Sequence, residues 1–262
     1  MLECVVNISE GRDQGTIAGI AAAAGSALLD VHTDADHNRT VLTLLGTDAP
    51  RAVAAAAVER LDLTSHEGAH PRIGVVDVVP FVPLTGSTDL DAVTARDDFC
   101  RWAAAELAVP CFTYGTHRTL PEVRRDAFRS LAPDFGPTAP HPTAGAMAVG
   151  ARPLLVAYNV WLADGDLVEA KEIAAALRSP TVRALGLQVG NEVQVSMNLI
   201  EPLVTGPGAV VDAIAARARI DRCELVGLVP EAVLQHEPAA RWRDLDLGAD
   251  RTIESRSTRA TG

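Results

Sequence analysis

Short apolar runs of strand length alternate with helical stretches twice along this chain, on either side of a segment rich in proline, glycine and alanine. That repeat narrows the available folds more than any single motif does. In the first copy LECVVNI (2–8) reads as a strand, followed by the turn SEGR. Asp13 is placed to cap a helix over TIAGIAAAAG that Gly25 would end. ALLDV (27–31) and TVLTLLG (40–46) read as strands, and APRAVAAAAVERL (49–61) as a helix. IGVVDVVPFVPL (73–84) reads as a buried extended run, which Pro80 and Pro83 place near an edge or bend. Thr88 with Asp91 opens a helix that runs through Leu107, and VPCFTYG (109–115) is the next strand. The order is β-α-β-β, an extra extended segment, then α-β, the split βαβ pattern of ferredoxin-like sandwiches.

Residues 131–152, LAPDFGPTAPHPTAGAMAVGAR, read as a boundary. Beyond it LLVAYNVWL (154–162) is a strand, and Asp166 with Glu169 opens the helix LVEAKEIAAALRS. ALGLQVG and EVQVSMNLIEP are strands, GAVVDAIAARARI is a helix, and CELVGLVP (223–230) closes the second copy. The expected fold class is α+β: two tandem ferredoxin-like α/β sandwich subdomains, each βαββαβ, with a ligand groove between them. The expected boundaries are 1–150 and 151–235, with a tail at 236–262 that is disordered from Arg251 onward, where apolar periodicity stops.

The formal net charge of −11 and pI near 5.0 argue against general binding to nucleic acid or to an anionic membrane. They leave an anionic small substrate open, because local arginines set the field of a site. Basic charge here is almost entirely arginine, with Lys171 the one lysine among 23 basic residues. Cys4, Cys100, Cys111 and Cys223 are scattered without a C-x-x-C pair, as expected of reduced thiols in a cytoplasmic protein. Neither a signal peptide nor a membrane-spanning run is read from the sequence.

SHEGAHPRIG (65–74) contains a literal H-E-x-x-H, the zinc-protease pattern. A zincin needs both histidines on one continuous helix. Pro71 pushes His70 out of helical conformation, and Gly68 weakens a helix between them. The segment joins a helix to a strand, so it reads as a loop, and no metal is expected there.

The same loop carries a resemblance. HEGAHPRIG followed by VVDVVPF (75–81) resembles the formiminotransferase family, whose loop has the form H-x-G-x-H-P-R-x-G before an L-D-V-x-P-F strand. ECVVNISEG (3–11), NRTV (38–41), RTLPEVRR (118–125) and PDFGP (133–137) agree with it. So do GAMAVGARPLLVAYNV (145–160), EVQVSMNL (192–199) and LVGLVP (225–230), so the likeness spans roughly residues 2 to 230.

The resemblance implies transfer of a formimidoyl group between tetrahydrofolate and glutamate, or N-formimidoyl-glutamate in the other direction, within histidine metabolism. Tetrahydrofolate would be a co-substrate, the location cytoplasmic, and a homodimer is what the family suggests. The catalytic acid/base it implies is His70. An imidazole suits that role, because the amino group of glutamate must lose a proton to attack and the leaving folate nitrogen must gain one. Within the family the alternative is a folate-dependent paralogue with another acceptor. Outside it, the alternative is a folate-binding protein without turnover.

Arg39 and Arg72 are candidates for holding carboxylates bidentately, with a structural ion pair as the alternative for each. Asp77 is placed either to orient His70 or to satisfy buried backbone donors. His66 is either a second functional histidine or a loop hydrogen-bonder. Asn7, Ser9 and Glu10 lie at a strand end, where they either meet substrate or form a turn. The resemblance makes 136–145 the folate segment, with Gly136, Pro137, Thr138, Pro142 and Gly145 as binding positions and His141 either a contact or exposed.

Two departures stand out. Ala144 replaces a tryptophan of the animal-type members, and His32 replaces an aspartate. His32 and His37 together are also a candidate for a small metal site.

Overall fold

The computed structural model describes residues 1–68 and 72–261, with two compact units, Met1–Pro153 and Leu154–Gly262. In the first unit the chain runs β1 (Leu2–Ile8), α1 (Gln14–Ala22), β2 (Leu28–Asp34), β3 (Arg39–Leu45), α2 (Asp48–Arg60) and β4 (Val76–Pro83). It continues through α3 (Asp89–Glu106), β5 (Cys111–Tyr114), α4 (Leu120–Asp126) and β6 (Met147–Ala151). The helix starts follow the capping chemistry read from the sequence. Asp13 accepts from the Gly15 and Thr16 amides, and Thr88 with Asp91 forms a reciprocal capping box. Thr119 and Glu122 form a second box at α4, with proline in the first turn. Gly25, with φ +56°, begins a short 3-10 turn after α1 has ended at Ala22.

The six strands lie in the order β2-β3-β1-β4-β6-β5. The βαββαβ unit therefore closes with α2 and β4, and α3, β5, α4 and β6 extend its edge. This corrects the expectation that the helix from Thr88 and the strand at 109–115 complete the pattern. It also corrects the placement of 73–84 near an edge, because β4 is central, antiparallel to β1 and parallel to β6. Pro80 is tolerated there because the ladder with β1 lapses opposite it, although the register is the same on both sides. Pairing runs from Leu2↔Pro83 to Cys4↔Phe81 and resumes at Asn7↔Val78, so the missing N–H falls in a gap.

The segment 131–152 holds a strand as well as turns. β6, sequence MAVGA, is buried throughout and lies between β4 and β5. Phe81, Phe99 and Trp102 pack in series as tilted rings, with centroids 5.9 and 5.4 Å apart.

The second unit runs β7 (Val156–Leu162), α5 (Leu167–Leu177), β8 (Val182–Val189), β9 (Glu192–Leu199), α6 (Pro207–Ala215) and β10 (Ile220–Val226). Its antiparallel sheet has the order β10-β7-β9-β8, the ferredoxin-like arrangement. Two further helices follow, α7 (Glu231–His236) and α8 (Ile253–Thr261).

The described residues beyond Arg251 form a helix, Ile253–Thr261, contrary to the expectation of disorder from Arg251 onward. Leu245, Leu247 and Ile253 are buried, the Tyr158 hydroxyl donates to Leu245 O at 2.6 Å, and Ile253 N donates to Val229 O at 3.0 Å. A few isolated apolar anchors achieve this without a periodic pattern. The four cysteines are free thiols, three of them buried. No described helix is long and apolar enough to cross a membrane.

Candidate active site

The loop preceding β4 is bound to the first unit through backbone contacts that two glycines permit. Val75 N donates to Ala144 O and Ala146 N to Ile73 O, at 3.0 and 2.9 Å. At Gly74 a Cβ would lie 2.0 Å from Ala146 O. At Gly145, where φ is +71°, a Cβ would lie 2.3 Å from Ile73 O. Any side chain at either position would push the strands apart. Ser9 adds a third strand end, its amide donating to Val75 O and its hydroxyl to Gly74 O, both at 2.8 Å. Asn7 sits at a register shift between β1 and β4, and the Glu10 carboxylate accepts from the Arg12 and Asp13 amides, so both shape the turn.

The β2–β3 turn packs against the start of this loop, Asn38 reaching both His66 and Glu67. Asp34 accepts from the Asp36 and His37 amides and meets His37 Nδ1 at 2.6 Å. Burial opposes ionisation of Asp34, but the His37 contacts outweigh it and hold the carboxyl at about 2. Asn38 follows with φ +48°, a conformation asparagine tolerates. Its Oδ1 accepts from Gly11 N at 2.8 Å. Its Nδ2 donates to Glu67 O at 2.8 Å and meets His66 Nδ1 at 3.0 Å. His66 itself is extended, φ −88° and ψ 128°, after a 3-10 turn at Leu63–Ser65, so it does not stand on a zincin helix.

Beneath the loop lies Asp77, 2% exposed. Its Oδ1 accepts from Ile73 N at 2.8 Å and its Oδ2 from the Arg124 guanidinium. Burial raises the Asp77 pKa, while Arg124, the Ile73 amide, Arg39 and Arg72 act against that rise. Arg72 reaches His37 O at 3.4 Å. The structure thus gathers Arg39, Arg72 and Arg124 around one buried carboxylate.

Above this group opens a cavity of about 450 Å³, whose walls include Arg72, Arg124, Arg129, His141, Pro142 and Gly145. Three guanidiniums on one cavity, with a single buried carboxylate below, suit an anionic ligand that presents carboxylate oxygens. His141 uses Nδ1 to accept from Ala144 N at 3.0 Å, which fixes the turn into β6.

The other expected positions fall elsewhere. His70 lies outside the described residues. Gly136, Pro137 and Thr138 are not on the cavity wall; at Gly136, φ +85°, a Cβ would lie 3.1 Å from the Ala104 Cβ and 3.2 Å from the Pro110 Cα. His32 pairs with Val41 within the hairpin. Among the described residues no group of three or more His, Cys, Asp or Glu is arranged for a metal. Ala144 is 1% exposed and belongs to the core, so its side chain does not stand where it could stack on a ligand. Sequence reasoning missed Asn38, Arg124 and Arg129. Asn38 in DHNR carried a turn signal, whereas nothing local connects Arg124 with Asp77, 47 positions away.

A model of the formiminotransferase domain, N-terminal subdomain, matches residues 1–152. The chain belongs to the formiminotransferase family. Glutamate formimidoyltransferase of Streptococcus pyogenes serotype M1 is 35% identical to it, covering 89% of this chain and 90% of that protein. A protein of the same name from Thermoplasma acidophilum is also 35% identical, over 89% of each chain. Formimidoyltransferase-cyclodeaminase of Sus scrofa is 35% identical over 88% of this chain, which spans 50% of that protein's length. The loop bearing H-P-R-x-G, whose described parts were placed above, is thus a formiminotransferase loop, set beside an arginine-lined cavity.

Proposed function

We propose that this chain is a glutamate formimidoyltransferase, moving a formimidoyl group between tetrahydrofolate and L-glutamate in histidine degradation. The observation that carries the reading is the 35% identity to the Streptococcus pyogenes enzyme over 89% of the chain. The cavity lined by Arg72, Arg124 and Arg129 supports it, because both co-substrates bring carboxylates.

In this reading His70 is the general acid/base. In the direction of histidine degradation it takes the proton of the tetrahydrofolate nitrogen as that nitrogen attacks the formimidoyl carbon of N-formimidoyl-L-glutamate. It then gives a proton to the glutamate nitrogen as that nitrogen leaves the tetrahedral intermediate, and the reverse transfer uses the same group in the opposite order. Arg72 and Arg39 hold carboxylates, and Pro142 and Gly145 let backbone approach the ligand. Gly136, Pro137 and Thr138 belong to the same folate-binding segment. Asp77 acts from below, holding the Ile73 amide and the Arg124 guanidinium in place.

Tetrahydrofolate is a co-substrate in this scheme. Residues 1–150 and 151–235 correspond to the N- and C-terminal formiminotransferase subdomains, and the enzyme works in the cytoplasm, as a homodimer. The test is turnover of N-formimidoyl-L-glutamate with tetrahydrofolate by the purified chain, beside His70→Ala. Product formed by the wild type and lost in the variant supports the reading.

A further inference from the structure

Asn38 fixes which proton His66 carries. Its Oδ1 faces the Gly11 amide, a donor, so the other end of the side chain must be the NH2 group. That NH2 spends one hydrogen on Glu67 O and the other on His66 Nδ1. His66 Nδ1 is therefore an acceptor, and the ring proton is on Nε2. This assignment follows from two backbone partners whose roles cannot be exchanged, and Asn38 is itself 5% exposed. Among the described residues, His66 Nε2 is buried and has no hydrogen-bond partner. A buried N–H donor without an acceptor is costly, and an active-site loop is where such a donor finds its acceptor in a ligand.

The surroundings define what that acceptor is. A Cβ at Gly68 would lie 2.7 Å from the Arg72 guanidinium and 2.6 Å from His37 O, so the arginine packs tightly beside this stretch. The charges that act on His66 are Arg72 and Arg12, with Glu10 opposing them. Arg72 is the strongest of these charges, and a guanidinium packed beside the ring suits an anionic oxygen as the acceptor better than a neutral carbonyl.

We propose that His66, on the loop before β4, is a substrate-contacting residue whose neutral imidazole donates its Nε2–H to a carboxylate oxygen of a bound co-substrate, and that Asn38 is the positioning residue that sets it. The identity of that co-substrate rests on the proposed function. Both the amino-acid and the folate ligand carry carboxylates, and the experiment separates them.

Binding of N-formimidoyl-L-glutamate and, separately, of 5-formyltetrahydrofolate is measured by calorimetry for the wild type and for His66→Phe, His66→Gln and His66→Asn. Glutamine keeps a donor at the reach of Nε2; phenylalanine and asparagine do not. The expected result is a Kd raised about tenfold or more for one ligand in the phenylalanine and asparagine variants. The other ligand stays unchanged, and glutamine remains within about threefold of wild type. The affected ligand identifies whose carboxylate His66 holds. Unchanged binding of both ligands in the asparagine variant overturns the proposal, as does a glutamine variant as weak as phenylalanine, or a wild type that binds neither compound. Wild-type turnover is followed in parallel. Turnover with His66-independent binding sinks this inference alone, and His66-dependent binding without turnover sinks the functional reading alone.

Discussion

The Arg124 guanidinium closes on the Asp77 carboxylate across 47 residues of sequence, joining α4 to the central strand β4 directly beneath the loop that precedes it. Asp77 is nearly fully buried while the Arg124 side chain keeps 21% of its exposure, so the two ends of the pair are not equivalent. Arg124→Ala strands a buried charge and is expected to cost about 3 kcal/mol. Asp77→Asn leaves a guanidinium that water can reach and costs less, about 1 kcal/mol. Urea denaturation of both variants checks the order; equal losses would mean the pair is not held by burial of the carboxylate.

Gly74→Ala and Gly145→Ala each place a methyl within 2.0 and 2.3 Å of a backbone oxygen that has no room to move. Each is expected to destabilise the first unit by about 2–4 kcal/mol and to displace the loop that carries Arg72. Thermal unfolding reads the first effect. Weaker binding of an anionic ligand to whatever protein stays folded reads the second.

Acid should weaken the fold in two stages. The native pKa of His66 lies below the ordinary 6.5, lowered by burial first and by Arg72 next. Below about pH 6.5 the unfolded chain takes up this proton more readily than the native one, so stability falls as pH falls. His66→Gln should flatten that stage. The second belongs to Asp34, held at about 2 against an ordinary 3.8. Its contribution is present above about pH 3.8 and lost as pH drops toward 2. Urea midpoints across pH 2 to 8 for the wild type, His66→Gln and Asp34→Asn would show each stage vanish with its residue.

Leu245 and Leu247, beyond α7, are part of the second core. Leu245→Ala is expected to cost about 2–4 kcal/mol, because Leu245 is 1% exposed and its carbonyl receives the Tyr158 hydroxyl. Chains ending at His236 should fold poorly, which solubility and circular dichroism would reveal. A fully stable truncation would show that the end only decorates the sheet.

Most strands and the capped helices α1, α3 and α5 were legible in the sequence, whereas α4 was not read although Thr119 and Glu122 box its start. β1 coincides with LECVVNI, and α3 begins where Thr88 and Asp91 place it. β6 was not legible, because five residues buried on both faces show no alternation and sit among turn-forming residues. The ordered tail escaped because Leu245, Leu247 and Ile253 are anchors without a period. In the site, Arg72, Pro142 and Gly145 meet on one cavity as neighbours of recognisable loops. Arg124 and Asn38 act through partners distant in sequence, and only the fold brings those together.

The most direct measurement is formimidoyl transfer by the purified chain from N-formimidoyl-L-glutamate to tetrahydrofolate, followed as folate product beside His70→Ala. With His70 as the acid/base, the wild type turns over and the variant loses about 10²–10⁴-fold, with folding retained. Wild-type protein that binds folate but forms no product, or a variant as active as the wild type, would contradict that mechanism.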